Sequence, residues 1–418
     1  MFRIRAEHSG GASGGAFAGA FGGELSRTVS AYTAFLANER PRFVAPIESL
    51  TGPTPLRELV EHRPLSIDVH PPQSTRVTDA LLILSFGGPE GPDDVMPFLE
   101  NVTRGRNIPP ARLLEVAAHY QHFGGVSPIN AQNRALQAAL VKTLRAQGDS
   151  LPVYWGNRNW KPFLGETLKQ MTEDGITRAF VYATSAFGSD SGCKQYRENL
   201  RDAAMLIEGA PELLKLRLYF DHPSFIEAQA ERVKNALLQL PEALQEKARI
   251  VYTAHSVPMS LAVGSPYEPQ LREAARLVTE ALGRDPSTTD LVWQSRSGPP
   301  HVPWLAPDIV DHLKALHAEG AEAVVVVPIG FVSDHMEVVW DLDHDAKICA
   351  STLGLAFARA GTVGDDPRII EMLIELIDER RQAVPKRALS MLGIAGEDCA
   401  MKCCPRPVVA SALDNPTP

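Results

Sequence analysis

Val324-Val325-Val326-Val327-Pro328-Ile329-Gly330-Phe331-Val332-Ser333-Asp334-His335-Met336-Glu337 is the stretch that decides the fold. Four successive valines, with Ile329 and Phe331 just beyond, are too uniformly apolar for a strand with one wet face. They read as a strand of a parallel sheet, buried on both sides. Pro328 and Gly330 end it. An acid, an imidazole and a second acid then follow within four residues, just past the strand's carboxyl end, where open α/β sheets gather their ligands. Arg249-Ile250-Val251-Tyr252-Thr253-Ala254-His255-Ser256-Val257-Pro258 repeats the plan, an apolar strand running out into a histidine. The expectation is that His255 and Glu337 face each other across one cleft and carry the chemistry.

Outward from these two places the chain alternates. Strand-like runs lie at 80–86 and near 151–156, 179–185, 216–220, 249–254, 290–295, 323–329 and 356–360. Helical stretches separate them, such as 194–207, 224–239, 268–283, 306–318 and 368–384. Such alternation implies an α/β fold with parallel strands and right-handed crossovers. Eight strands could close one barrel. The glycine and histidine features concentrate at the first and fifth strands, which favours two open four-stranded sheets flanked by helices. The domains are then 79–247 and 248–390, divided after Leu244-Gln245-Glu246-Lys247. Residues 1–78, rich first in Gly, Ala and Ser and then in Pro, cannot bury enough surface to offset their ordering entropy and are expected to be a disordered extension. Residues 391–418 form a cysteine-containing tail.

Composition narrows the function. Hydrophobic residues make up 44% and charged residues 22%, as in soluble globular proteins. The net charge of −9 argues against a nucleic-acid partner. No apolar run is long enough for a transmembrane helix. Five cysteines, an odd count without a secretory signal, argue against a disulfide framework and for a reducing compartment, the cytoplasm. Gly87-Gly88 lacks the third glycine of a dinucleotide fingerprint.

Several residues could carry chemistry. His255 is a base or metal ligand at a sheet edge, or a loop histidine. Glu337, Asp341 and Asp345 stand four apart, so on a helix they form one slowly drifting row. That row is a solvated acidic face or a path for a hard cation. Arg104 and Arg106 could meet an anion as bidentate donors or sit on the surface. Cys399, Cys403 and Cys404 crowd a polar tail, which suits a soft metal or an iron–sulfur cluster. Three thiolates are too few, so Cys193 or Cys349 would complete the set.

Together, Leu84-Ser85-Phe86-Gly87-Gly88-Pro89-Glu90, Gly124-Gly125-Val126-Ser127-Pro128-Ile129-Asn130, Thr253-Ala254-His255-Ser256-Val257-Pro258, Gln294-Ser295-Arg296 and Pro328 to Glu337 resemble the ferrochelatases, in the same order and over about 79–390. The resemblance implies two Rossmann-like domains with a porphyrin cleft between them, and insertion of ferrous iron, the metal substrate, into the porphyrin. It implies that His255 takes protons or binds iron, that Glu337 ligates or shuttles opposite it, and that Asp341 and Asp345 form a metal or proton path. Ser127 and Tyr196 then hold porphyrin carboxylates, and Arg104, His119 and Tyr120 are further substrate contacts. Phe86 stands where some coproporphyrin-using members have tyrosine, so no phenolate ligates iron there.

Some bacterial members carry a [2Fe–2S] cluster on one internal and three C-terminal cysteines. The resemblance assigns it here to Cys193, Cys399, Cys403 and Cys404 and leaves Cys349 as a buried thiol. Cluster-bearing members resemble the coproporphyrin III branch, and no apolar lip is evident over 92–123. The expected protein is a monomeric coproporphyrin III ferrochelatase whose partners are porphyrin and iron. A protoporphyrin IX ferrochelatase and a non-catalytic porphyrin or haem carrier are the alternatives.

Overall fold

The computed structural model describes residues 78–105, 108–298, 300–394, 396 and 403–404. The expected disordered extension, apart from Thr78, lies outside these residues, as do Arg106 and Cys399. Eight strands are present among the described residues: β1 Asp79–Ser85, β2 Val153–Asn157, β3 Arg178–Ala183, β4 Glu212–Lys215, β5 Arg249–His255, β6 Thr289–Gln294, β7 Ala323–Val327 and β8 Ala356–Arg359. They form two parallel four-stranded sheets of the same plan, ordered β2-β1-β3-β4 and β6-β5-β7-β8. The barrel alternative is thereby excluded.

Thirteen α-helices are assigned among the described residues. The first half carries α1 Val95–Val102, α2 Pro110–His122, α3 Ile129–Ala146, α4 Leu164–Glu173, α5 Gln195–Met205, α6 Pro223–Leu237 and α7 Glu242–Gln245. The second carries α8 Met259–Ala262, α9 Tyr267–Ala281, α10 Ile309–Ala318, α11 Met336–Val338, α12 Lys347–Leu353 and α13 Pro367–Arg380. None is long and apolar enough to cross a membrane.

The central strands are legible for a simple reason. Leu81 to Leu84 in β1 and Val324 to Val327 in β7 have no exposed surface, because helices cover both faces. The run 216–220 differs from expectation. Leu216 makes one last ladder bond, its N–H donating to Val181 O at 2.9 Å, and the ladder then ends. Leu218, Tyr219 and Phe220 are buried against α6 and its neighbours without pairing as a strand. Apolarity reports burial, and here burial and strand pairing part company.

In each sheet the chain leaves the second-listed strand first to one side and then to the other. The switch points are β1/β3 and β5/β7, the places where such sheets bind ligands at their carboxyl edges. One continuous apolar core runs from Leu81 and Ile83 of β1 through Phe225 of α6 to Tyr252 of β5, Val325 of β7 and Leu373 of α13.

The chain beyond α13 is fastened by a buried polar hub. Arg217 grips Glu379 with two bonds of 2.6 and 2.9 Å and donates to the Arg387 carbonyl at 2.7 Å. The Leu389 N–H donates to the Asp221 carbonyl, and the Met391 N–H to Glu273 on α9. The Asp221 carboxylate lies 3.7 Å from Arg217 with no surface exposed and no hydrogen-bond partner.

Over 92–123 no apolar lip was evident, yet Ile108, Leu114 and Phe123 are exposed, Leu114 by 61%. α2 buries Val116, Ala117 and Tyr120, so Leu114 stands on its other face.

Candidate active site

β5 ends at His255, and β7 leads through the turn Pro328-Ile329-Gly330 to Glu337. Gly330 is required in that turn: a Cβ there would lie 2.6 Å from the Cβ of Ala254. The close approach lets the Gly330 N–H donate to the Thr253 carbonyl at 3.1 Å and folds the segment onto β5. His335 caps α11, its Nδ1 accepting from the Glu337 N–H at 3.2 Å. Glu337 is thus delivered on the first turn of a helix, where the dipole favours a carboxylate.

His255 Nε2 and Glu337 Oε2 are 3.5 Å apart. This corrects the expectation that the two face each other across the cleft. β5 and β7 are adjacent strands, paired from Arg249↔Val324 to Tyr252↔Val327, so both residues rise from one sheet edge and share one wall. His255 Nδ1 lies against the Ser256 carbonyl, which fixes the proton on Nδ1 and leaves Nε2 to titrate beside Glu337. Burial opposes charging the imidazole. Glu337 outweighs it, and the His255 pKa is raised. Burial likewise pushes Glu337 up, while the neighbouring charge of His255, and then of His335, holds it below the usual carboxylate range.

Beyond Glu337 the helix widens. Val339–Ala346 is π-helical, with i→i+5 bonding that brings residues four apart closer to one line than an α-helix does. Asp341 is buried and accepts from the Ser295 hydroxyl at 2.5 Å. Asp345 reaches the surface and meets His344 Nδ1 at 3.0 Å. The row thus runs from the buried pair outward.

One cleft brings most of the expected residues together. His255, Glu337, Phe86, Ser127, Tyr196 and Tyr120 all line it. Ser127 is seated against Gly88, where a Cβ would come within 2.6 Å of the serine's own. Arg104 and His119 do not line it. Arg104 is exposed after α1, and His119 stacks on Trp340 with ring centres 3.7 Å apart. His119 and Tyr120 are neighbours on α2, about 100° apart around the helix, and only Tyr120 is turned to the cleft.

Among the lining residues given no role by sequence reasoning are His335 and Arg158. Arg158 immediately follows β2, so the carboxyl-edge rule that singled out His255 would have found it. Cys193 is buried in the short π-helical turn 190–194 before α5, a turn whose Asp190, Ser191 and Gly192 line the cleft. Cys349 sits in a different apolar cluster, its thiol 3.8 Å from the Val310 carbonyl.

Among the described residues one other group, His222 with Glu375 and Glu379, has the donor spacing of a metal site. Its chemistry argues against one. His222 Nδ1 accepts from the Ser224 N–H, so Nε2 carries the proton, and Glu379 is engaged by Arg217.

A buried imidazole–carboxylate pair, a carboxylate row leading to it and an aromatic cleft at the edge of a parallel sheet define an α/β enzyme that handles a metal ion. The ferrochelatase family model matches residues 78–381, and the chain belongs to that family. It is 54% identical over 340 residues to the coproporphyrin III ferrochelatase of Nocardia farcinica, covering 78% of this chain and 96% of the relative. It is 55% identical over 313 residues to that of Mycolicibacterium smegmatis, covering 74% and 92%. It is 51% identical over 365 residues to that of Streptomyces coelicolor, covering 81% and 97%.

Proposed function

We propose that this chain is a coproporphyrin III ferrochelatase, inserting ferrous iron into the macrocycle in haem biosynthesis. The observation that carries the reading is the His255–Glu337 pair, 3.5 Å apart in the wall of the cleft. Metallation must remove two pyrrole protons. At rest the pair shares one proton as imidazolium and carboxylate. Once that proton leaves along Asp341 and Asp345, the bare Nε2 of His255 and the carboxylate of Glu337 are two acceptors for the two pyrrole protons. The same row is the route by which a hard divalent cation is drawn inward. Ser127, Tyr196 and Phe86 then grip the macrocycle and its carboxylates, and Tyr120 contacts it.

The experiment is anaerobic incubation with ferrous iron and either coproporphyrin III or protoporphyrin IX, following loss of free-porphyrin fluorescence. Faster loss with coproporphyrin III is expected. One observation favours the second substrate: Ile108, Leu114 and Phe123 are exposed apolar side chains on and beside α2, the helix that carries Tyr120 to the cleft. Preference for protoporphyrin IX would overturn the substrate assignment, and binding without metallation of either would identify a carrier.

The reading includes a [2Fe–2S] cluster on Cys193, Cys399, Cys403 and Cys404. The donor set is chemically suited, four thiolates in all. Cys193 is buried at the head of α5, while Cys403 and Cys404 are partly buried. The route of the tail supports it. Met391 is held on Glu273 of α9, and Gln270 on the same helix accepts from the Gly188 N–H at 2.7 Å, five residues before Cys193. When bound, the cluster would tie the tail to the first sheet.

A further inference from the structure

Arg158 carries a charge that the fold does not use. Its guanidinium lies over the Tyr196 ring at 4.4 Å and within 6.0 Å of the Phe86 ring, both in the cleft wall. Nε donates to Asn199 Oδ1 at 2.6 Å, Nη2 to Gln195 Oε1 at 3.1 Å and Nη1, weakly, to the Ser191 carbonyl at 3.5 Å. All three acceptors are neutral. Of five guanidinium N–H donors, these engage three and leave two. Asp190 in the cleft wall is already engaged: it pairs with Lys194 at 2.9 Å and accepts from the Gln195 amide at 3.2 Å.

Holding a cation in a partly desolvated wall without a counter-charge is costly. The expense is met here by a rigid mount: two aromatic rings fix the plane of the fork and two amide side chains fix its rotation. Such a mount suits a planar anion. Arginine meets a carboxylate with parallel bonds, which a lysine at the same place cannot reproduce.

We propose that Arg158 is a specificity-determining residue, the anchor for one carboxylate of the porphyrin substrate, reading carboxylate against its uncharged counterpart. The proposal rests on the chelatase reading and adds the residue that sets preference for a carboxylate-rich macrocycle. It also gives Asn199 and Gln195 a task as positioning residues, since they orient the fork and touch no reacting atom.

The test compares wild type, Arg158→Gln and Arg158→Lys in binding coproporphyrin III and its tetramethyl ester, read from porphyrin fluorescence without iron. Steady-state metallation of coproporphyrin III is measured alongside. Loss of the anchor should weaken coproporphyrin III binding by about 10- to 100-fold in Arg158→Gln and less in Arg158→Lys. Ester binding should be unchanged, with KM raised and kcat within about 3-fold.

Equal weakening for acid and ester would mean that Arg158 only packs against Tyr196, and unchanged binding would mean that it meets no carboxylate. Either result overturns the proposal. If Arg158→Gln does not fold, Arg158→Lys keeps the charge and the stem, and the acid-to-ester affinity ratio in that variant decides alone. Failure of wild type to metallate any porphyrin would overturn the functional reading instead, and the wild-type rate separates the two failures.

Discussion

Ser295 donates its hydroxyl to the buried Asp341 at 2.5 Å while its own backbone holds φ at +62°. A β-carbon in that left-handed region is disfavoured by roughly 1–2 kcal/mol, so the bond to Asp341 offsets local strain. Gln294, just before it, donates to the Glu337 carbonyl at 3.3 Å. The end of β6 therefore braces two members of the carboxylate row. Replacing Ser295 by Gly removes the hydroxyl and the strain, whereas Ala removes the hydroxyl and keeps the strain. Denaturant unfolding should find Ala the less stable by about 1 kcal/mol. Both variants should slow metallation alike. Equal stability of the two would show that the backbone is unstrained.

His255→Ala and Glu337→Gln should each lower the metallation rate by about 10²–10⁴-fold, the range for removing a proton-transferring group. Porphyrin affinity, read from fluorescence, should stay within about 3-fold, since the residues proposed to grip the macrocycle belong to the other half of the chain. The acid limb of the kcat/KM profile should move to lower pH in Glu337→Gln. Burial depresses the His255 pKa, and the neighbouring carboxylate that now raises it would be gone. An unmoved acid limb would assign that limb to another group.

Asp221 and His222 make opposed contributions to stability as pH changes. Burial, only partly offset by Arg217, raises the Asp221 pKa to about 6, and burial together with Arg217 lowers that of His222 to about 4. As pH falls from 6.5 to 4, neutral His222 in the folded state forgoes a proton that the unfolded chain takes, and stability falls. Between about 6 and 3.8, folded Asp221 takes a proton that the unfolded chain does not, and stability rises. The two largely cancel. Asp221→Asn should expose the His222 contribution, with stability falling by about 2–3 kcal/mol on acidification through that window. It should also be more stable than wild type above pH 7. Melting temperatures that run parallel to wild type from pH 4 to 8 would refute this.

Cys403→Ser should abolish bound iron, acid-labile sulfide and visible absorbance together, and lower Tm by freeing the tail beyond the Arg217 hub. Cys349→Ser should leave all of these unchanged, since Cys349 packs in the other core beside Val310. Retention of sulfide in Cys403→Ser, or its loss in Cys349→Ser, would redraw the ligand set.

The sheets were legible because their strands are buried on both faces and punctuated by glycine and proline. The run at 218–220 misled because burial alone carries the same apolar signature. His255 and Glu337 could be named from strand ends, but their adjacency could not, since it follows from β5 pairing with β7 and strand order is absent from local pattern. Asp341 and Asp345 were visible as a spacing, while the π-helix that aligns them leaves no periodic mark. His119 was assigned to substrate beside Tyr120, and helical rotation separates the two. Arg158 went unnoticed because no apolar run as pronounced as those of β5 and β7 precedes it.

His255, Glu337 and the acidic row belong to the second half of the chain, and Phe86, Ser127, Arg158 and Tyr196 to the first. The two sheets repeat one plan, yet the labour is divided between them. Inheritance can therefore edit the halves separately. On the proposed roles, substitutions at the ends of β1 and β2 and along α5 would shift the preference among macrocycles and leave the His255–Glu337 pair in place.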